Sequence, residues 1–268
     1  MLINLLYSMA GALMVASLMM SITWLVSKVI KNAGIVDVAW ASGYTILTVY
    51  YLVTGHHESL CLQLLSGMVI LWSLRLTWHL ATRFLQWYPE EDARYTELRE
   101  KLGDNKEWKM YTIFLWQGAV LCFMSAPLAV TALDAATETA APSAPGAFQY
   151  VAICLWAISL LGVTLADKQL SDFKKAHKGK TCQVGLWKYS RHPNYFFEWL
   201  GALSFSLFVI DMPLGLWTMI CPLVLLHLLI NVTGVKPAEE HSLKTRPDYA
   251  AYVKTTSPFF PWWRKQSS

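Results

Sequence analysis

The chain has 268 residues, of which 55% are hydrophobic and 15% charged, and carries a formal net charge of +4. A soluble domain is nearer a quarter charged, so this shortage of charge points to a lipid-facing surface. Five cysteines (Cys61, Cys122, Cys154, Cys182, Cys221) show no CxxC spacing and point to neither a disulfide framework nor a zinc site.

A bilayer core of about 30 Å needs roughly 20 mostly apolar residues per helix. Seven apolar blocks meet or approach that length: Ile3 to Val29, Ile35 to Val53, Leu60 to Phe84, Met110 to Leu133, Phe148 to Ala166, Tyr195 to Ile210 and Leu214 to Val235. The first is too long for a signal-peptide core and lacks a basic n-region, which predicts a mature helix. The sixth is the shortest; Asp211, Met212 and Pro213 join it to the seventh as a tight hairpin. The blocks are continuously apolar rather than alternating, so helices are expected instead of a β-barrel. The expected fold class is all-α: one polytopic transmembrane domain over residues 1–268, with seven helices.

Orientation follows from Lys and Arg, which cytoplasmic loops retain. They gather after the first, third, fifth and seventh blocks, whereas Thr54 to Ser59, Ala132 to Ala147 and Asp211 to Pro213 contain none. The partition predicts an outside N-terminus and a cytoplasmic C-terminus. It also accounts for the net charge, so no nucleic-acid partner is expected. Lys28 and Arg83 sit at the very ends of the first and third blocks, and of the Lys and Arg residues only Arg75 falls in the interior of one.

The outward stretch Ala135 to Ala147 is bland, while the inward segments are rich in bases, aromatics and acids. The densest cluster runs Gly185-Leu186-Trp187-Lys188-Tyr189-Ser190-Arg191-His192-Pro193-Asn194-Tyr195 and continues to Glu198. Pro193 suits the first turn of a helix, and His192 before it would be extended, so backbone donors face the loop. Beside Arg191, Lys188, Lys180 and Lys178, such a start suits phosphate. Glu198 follows Asn194 by four residues and shares its helical face, where an amide and a carboxylate would hold a carboxamide or an adenine amine. The competing explanation is that the bases only obey topology and the aromatics only mark the interface.

Together with Asp167, the downstream Glu239-Glu240 pair and the tail Asp248-Tyr249-Ala250-Ala251-Tyr252, this block resembles the steroid 5-alpha-reductase C-terminal superfamily. Its bacterial branch, domain of unknown function 1295, is similar also in the Ile35-Val36-Asp37-Val38-Ala39-Trp40 segment and in the later RYxxLR and FxxQG patterns. The resemblance runs from about residue 35 to 262, with a cofactor core from about 167 to 262. It implies a multi-pass reductase of the bacterial inner membrane in which NADPH enters from the cytoplasm. Hydride would go to a double bond conjugated to a carbonyl in a lipid-soluble, steroid- or isoprenoid-like substrate. By the same resemblance Asn194 and Glu198 hold the nicotinamide end and Asp167 belongs to the cofactor site. Trp187, Tyr189, Ser190, Arg191, His192 and Tyr195 line its wall, with Lys178 and Lys180 toward phosphate. Arg191 and Asn194 are thus expected to serve cofactor binding rather than folding.

At the substrate end the family's second-helix Glu and third-helix Tyr correspond to Asp37 and Trp72, and an indole offers a donor but no exchangeable acid. Trp40 and Gln117 are further substrate-side candidates. Gln117, in the fourth block, either faces a cavity or hydrogen-bonds a neighbouring helix. Asp37 and Arg75 carry charge near or within the apolar blocks, at about 2.5–3.5 kcal/mol each on insertion scales. They are expected either to pair as a structural bridge or, for a protonated Asp37, to donate to a substrate carbonyl. His79 and His227 are isolated and His56-His57 lack carboxylates other than Glu58, so no metal is expected.

Two other classes compete. Isoprenylcysteine and phospholipid methyltransferases carry a similar RHPxY block followed by a Glu pair, which would make S-adenosylmethionine the cofactor. A non-catalytic lipid-binding or transport protein is the third, with only Asp37 and Arg75 as intramembrane charges to support it. The oligomeric state is left open.

Overall fold

The structure, a computed structural model, describes residues 1–55, 58–136 and 144–264. The described residues are helical apart from turns and one isolated parallel bridge between Ser190 and Ser257. The helices are α1 Leu2–Ile30, α2 Ile35–Thr54, α3 Leu60–Trp87, α4 Ala93–Leu102, α5 Lys106–Met124, α6 Ala126–Ala135, α7 Ala147–Ala176, α8 Pro193–Phe208, α9 Ile220–His227, α10 Val235–Thr245 and α11 Tyr249–Thr255.

Among the described residues, five helical segments are long and apolar enough to cross a membrane: α1, α2, α3, α7 and the broken run Gly215–Thr245. The bent pair α5 and α6 makes a sixth if taken as one span. The 45° bend falls at Ser125, just before Pro127 in the first turn of α6, where the ring denies the backbone a donor. The sixth apolar block becomes α8, whose 16 residues rise only about 24 Å, short of a full crossing. The chain is therefore a multi-pass α-helical membrane protein with five or six candidate spans. His56, His57 and most of the outward loop of Ala135 to Ala147 lie outside the described residues.

The chain divides into two compact units, Met1–Gly146 with Asp211–Gly215, and Ala147–Ile210 with Leu216–Ser268. In the first, α1 is packed inside out relative to a soluble helix. Its buried face is Ala12, Ala16, Met20, Thr23 and Ser27, spaced by three or four, while Leu6, Leu13, Met14, Leu18, Ile22 and Leu25 are exposed. Without a hydrophobic drive between helices in lipid, small residues at the contact and polar groups across it do the joining. Gly118 of α5 accordingly sits where a Cβ would come 3.3 Å from the Ala16 carbonyl. Ser73 of α3 donates to the Ala41 carbonyl at 2.7 Å and accepts from the Thr45 hydroxyl at 2.8 Å, stitching α2 to α3.

In the second unit α7 and α8 run antiparallel. Ser159 donates to the Phe197 carbonyl at 2.7 Å, and Gln149 to the Phe208 carbonyl at 2.6 Å, near the far end of the pair. Gly162 receives the Phe197 ring against its Cα. The broken run from α9 through a π turn at Leu228–Val232 leads into α10 and α11, which carry the chain back to the loop before α8.

Candidate functional site

The motif block of the second unit is a tail-braced loop. It leaves α7 through an exposed turn holding Lys178 and Lys180, and Asp248 accepts from both the backbone N–H and the hydroxyl of Thr181, at 2.9 and 2.7 Å. Gly185 has a φ of 58° and lies against the Gln169 amide, which accepts from Leu186 N–H at 2.9 Å, so a Cβ there would be strained and obstructed. Trp187 is buried and donates from its indole to the Ala166 carbonyl at 2.9 Å. Asp167 follows Ala166 and is partly exposed at that level.

From Tyr189 onward the loop is held by the C-terminal segment. The Tyr189 carbonyl accepts from Trp262 N–H at 2.9 Å, and the Ser190 hydroxyl donates to the Phe259 carbonyl at 2.7 Å. Arg191 N–H donates to the Ser257 carbonyl at 2.8 Å. Tyr252 donates to the carbonyls of Trp187 and Ser190.

Here the structure corrects the reading of Arg191. The guanidinium is buried, with Nε donating to Glu239 at 2.7 Å and Nη1 to the carbonyls of Val253 and Thr256. With Nε on a carboxylate and Nη1 on two carbonyls, the fork organises the tail. The cations in the exposed parts of this loop are Lys178, Lys180 and Lys188.

His192 caps α8, with Pro193 in the first turn as expected. Its Nδ1 lies 3.0 Å from the Pro258 carbonyl, which only accepts, so Nδ1 carries the proton. Its ring stacks on Tyr195 at 5.4 Å. Burial lowers the His192 pKa below the ordinary 6.5, against the opposing pull of the Pro258 hydrogen bond and of Glu239 at 3.8 Å. The unfolded chain therefore binds the proton first as pH falls. Stability from this residue is complete above about pH 6.5 and is lost on further acidification through the depressed folded value. Replacing His192 with Asn should flatten the fall in unfolding temperature between neutral and mildly acidic pH; parallel profiles would contradict the assignment.

One turn into α8, Asn194 and Glu198 share a face, both partly exposed. The Asn194 Oδ1 is buried and makes no hydrogen bond among the described residues. The structure thus gathers Trp187, Tyr189, Ser190, Arg191, His192, Asn194, Tyr195 and Glu198 around one loop-to-helix junction. The sequence reading missed that Glu239, Tyr252, Thr256, Pro258 and Phe259 complete it. The signal available was the Glu pair and the tail motif, whose contacts sequence spacing does not reveal.

In the first unit Asp37 lies in the first turn of α2. Tyr95 of α4 donates to its Oδ1 at 2.6 Å and Arg94 to its Oδ2 at 2.8 Å. Arg94 also reaches Asp92 at 2.9 Å, which pairs with Arg83 at 3.0 Å. Burial opposes ionisation of Asp92, but the hydrogen bonds and charge of Arg94, with Arg83, outweigh it and hold the carboxyl at about 2. Burial and the neighbouring Asp37 carboxylate push the Tyr95 phenol upward. Both sequence-level roles of Asp37 need correcting. Its ionic partner is Arg94 rather than Arg75, and a carboxylate gripped by a guanidinium and a phenol accepts hydrogen bonds instead of donating one.

Trp72 is buried with its ring edge-on to Tyr44 at 5.0 Å, and Tyr44 meets Trp40 in the same way at 5.0 Å. Asp37, Trp40 and Tyr44 follow one another along α2 by three and four, one helical stripe. Tyr44 was missed from sequence, and that spacing was the signal. Gln117 lies half-buried on α5.

These features define a multi-pass helical membrane protein whose loop-to-helix junction is completed by its own C-terminal segment. The chain belongs to the DUF1295 family, described as protein of unknown function, whose family model matches residues 23–256. It is similar to an uncharacterized protein of Schizosaccharomyces pombe, 26% identical over 280 residues that cover 93% of this chain and 78% of that protein. No solved structure matches.

Proposed function

We propose that the chain is a reductase of the cytoplasmic membrane, N-terminus outside and C-terminus inside, with seven passes when α5 and α6 count as one and α8 as a short one. It would use NADPH to reduce a double bond conjugated to a carbonyl in a lipid-soluble substrate. The observation that carries the reading is the buried, unpaired Oδ1 of Asn194. An unsatisfied buried acceptor costs about 1–3 kcal/mol, and an amide N–H from a ligand would repay it. The carboxamide of nicotinamide presents that donor, with Glu198 one turn further along the same face as a second acceptor. Lys178, Lys180 and Lys188 suit the phosphates, while Arg191 and Tyr252 keep the loop in shape. NADPH supplies the hydride; the protein's part is to hold the cofactor and keep water out. Within the first unit, Trp40, Tyr44 and Trp72 form an aromatic group able to pack a flat apolar molecule, with Tyr44 contributing a phenol.

One observation favours a second reading. Arg191 and Glu239 meet at 2.7 Å, joining the RHPxY block to the Glu pair, the two features that the membrane methyltransferases share. Titration of the purified full-length protein separates the two cofactors. We expect saturable NADPH binding that weakens tenfold or more in Asn194→Ala, the equivalent of about 1.4 kcal/mol. Saturable S-adenosylmethionine binding with none for NADPH would replace the reductase by the methyltransferase.

A further inference from the structure

The C-terminal aromatic run Pro258-Phe259-Phe260-Pro261-Trp262-Trp263 has an exposure pattern that internal packing does not explain. Phe259 is 2% exposed, whereas Phe260, Trp262 and Trp263 are 48%, 69% and 74% exposed. All four belong to a segment whose backbone is fixed. The Phe259 carbonyl accepts from Ser190, Trp262 N–H donates to Tyr189, and the Trp263 ring stands edge-on to Tyr189 at 5.7 Å.

Helix α7 serves as a ruler for depth. Its apolar run ends at Ala166, immediately before Asp167 and Lys168, and the indole of Trp187 bonds to the Ala166 carbonyl, which sets the loop at the edge of the hydrocarbon. Ser159, seven residues or about 10 Å further in, bonds to the Phe197 carbonyl, which sets Phe197 at that depth. The Phe260 ring packs on Phe196 at 6.0 Å and on Trp199 at 5.6 Å, the neighbours of Phe197 on α8. Phe259 packs on the same two rings at 6.0 and 6.2 Å. The tail therefore descends beside the first two turns of α8 at Phe259 and Phe260. It returns to the loop at Trp262 and leaves at Arg264, which bonds to Thr256 and Gln183.

We infer that this run is a membrane-interface staple: Phe260, Trp262 and Trp263 insert into the boundary between headgroups and acyl chains, and the dip binds the loop of residues 187–192 to the bilayer surface. The depth of the ring contacts selects lipid over a soluble partner, because side chains exposed at that level beside a spanning helix face acyl chains. Indole rings, apolar with one polar edge, are the side chains that favour this zone. The inference rests on packing within the second unit and not on the identity of the cofactor.

The test uses the full chain in liposomes of phosphatidylcholine and phosphatidylglycerol. Exposed Cys154 is replaced by Ser, and a nitroxide label is placed at Phe260→Cys, Trp263→Cys or, as an aqueous reference, Lys178→Cys. Dissolved oxygen concentrates in lipid and a nickel chelate stays in water. Oxygen should collide more often than nickel at positions 260 and 263, and the order should reverse at 178. Equal nickel access at all three positions would overturn the staple. A second measurement leaves the tail chemistry nearly intact: tryptophan emission of the unlabelled protein in liposomes of bromine-labelled phosphatidylcholine. Trp262→Phe with Trp263→Phe should remove a lipid-quenched component of the emission. Loss of only an unquenched, water-exposed component would sink the proposal.

Discussion

Replacing Arg191 with alanine should cost the folded protein about 3–5 kcal/mol, the usual penalty for breaking a buried ion pair by removing one partner. The side chain is 7% exposed and its partner Glu239 18%, so little water is available to take over. Truncation leaves the Glu239 carboxylate without its cation and the Val253 and Thr256 carbonyls without their donor. In detergent the unfolding midpoint should fall by roughly 10 °C on the usual size scaling. Arg191→Lys should recover only part, because an ammonium is a point charge that cannot reproduce the fork. Glu239→Gln should be milder, and the double variant less damaging than the sum, since both changes remove one contact. Lys188→Ala, in the same loop but exposed, is the control and should leave the midpoint near that of the parent. A midpoint for Arg191→Ala indistinguishable from that control would return Arg191 to the role of a surface cation.

Asp37→Asn should lower stability by about 1.5–3 kcal/mol, the range for hydrogen bonds to a charged group. Most of that belongs to Tyr95, whose phenol is buried and donates at 2.6 Å. The Arg94 contribution is small because its side chain is half exposed and retains Asp92. The measurement is a double-mutant cycle of Asp37→Asn with Tyr95→Phe, read by thermal unfolding. A coupling energy near zero would mean that the pair does not hold α4 against the start of α2. The same variant serves the functional question. If loss of stability accounts for its whole effect on any reductase turnover, Asp37 is a latch and the carbonyl-polarising task falls elsewhere, with the Tyr44 phenol, beyond Trp40 on the same helical stripe, the next group to test.

Much of the architecture was legible because lipid makes few demands and makes them strongly. Continuous apolar length located α1, α2 and α3 to within a few residues and the start of α7 to within one, while α7 runs on past the predicted Ala166 to Ala176. The fourth block was also found, but its break was not read, although Pro127 was there to signal it. The site was legible as a place and misread as a set of roles. Arg191 stands in a basic stretch, and composition treats every cation there alike. What removes it from the surface is a pair of main-chain carbonyls more than 60 residues away, and a carbonyl has no sequence identity. Asp37 was misread for a related reason. Hydropathy made Arg75 the conspicuous partner, while Arg94 looked like one more loop charge until the Asp92 cap on α4 oriented it.

The hydrogen bonds that complete the loop of residues 187–192 come from segments made 48 to 73 positions later. At about 5–20 residues per second, the loop emerges from the ribosome several seconds before its acceptors exist. A chain cut short before Thr256 would still contain every helix from α1 to α11 and would insert as they do. It would nevertheless deprive the Arg191 fork of the Thr256 carbonyl, leaving it Glu239 and Val253, and the Ser190 hydroxyl of the Phe259 carbonyl. Completion of this junction is therefore a late event in the life of the chain, and one that distinguishes finished molecules from unfinished ones.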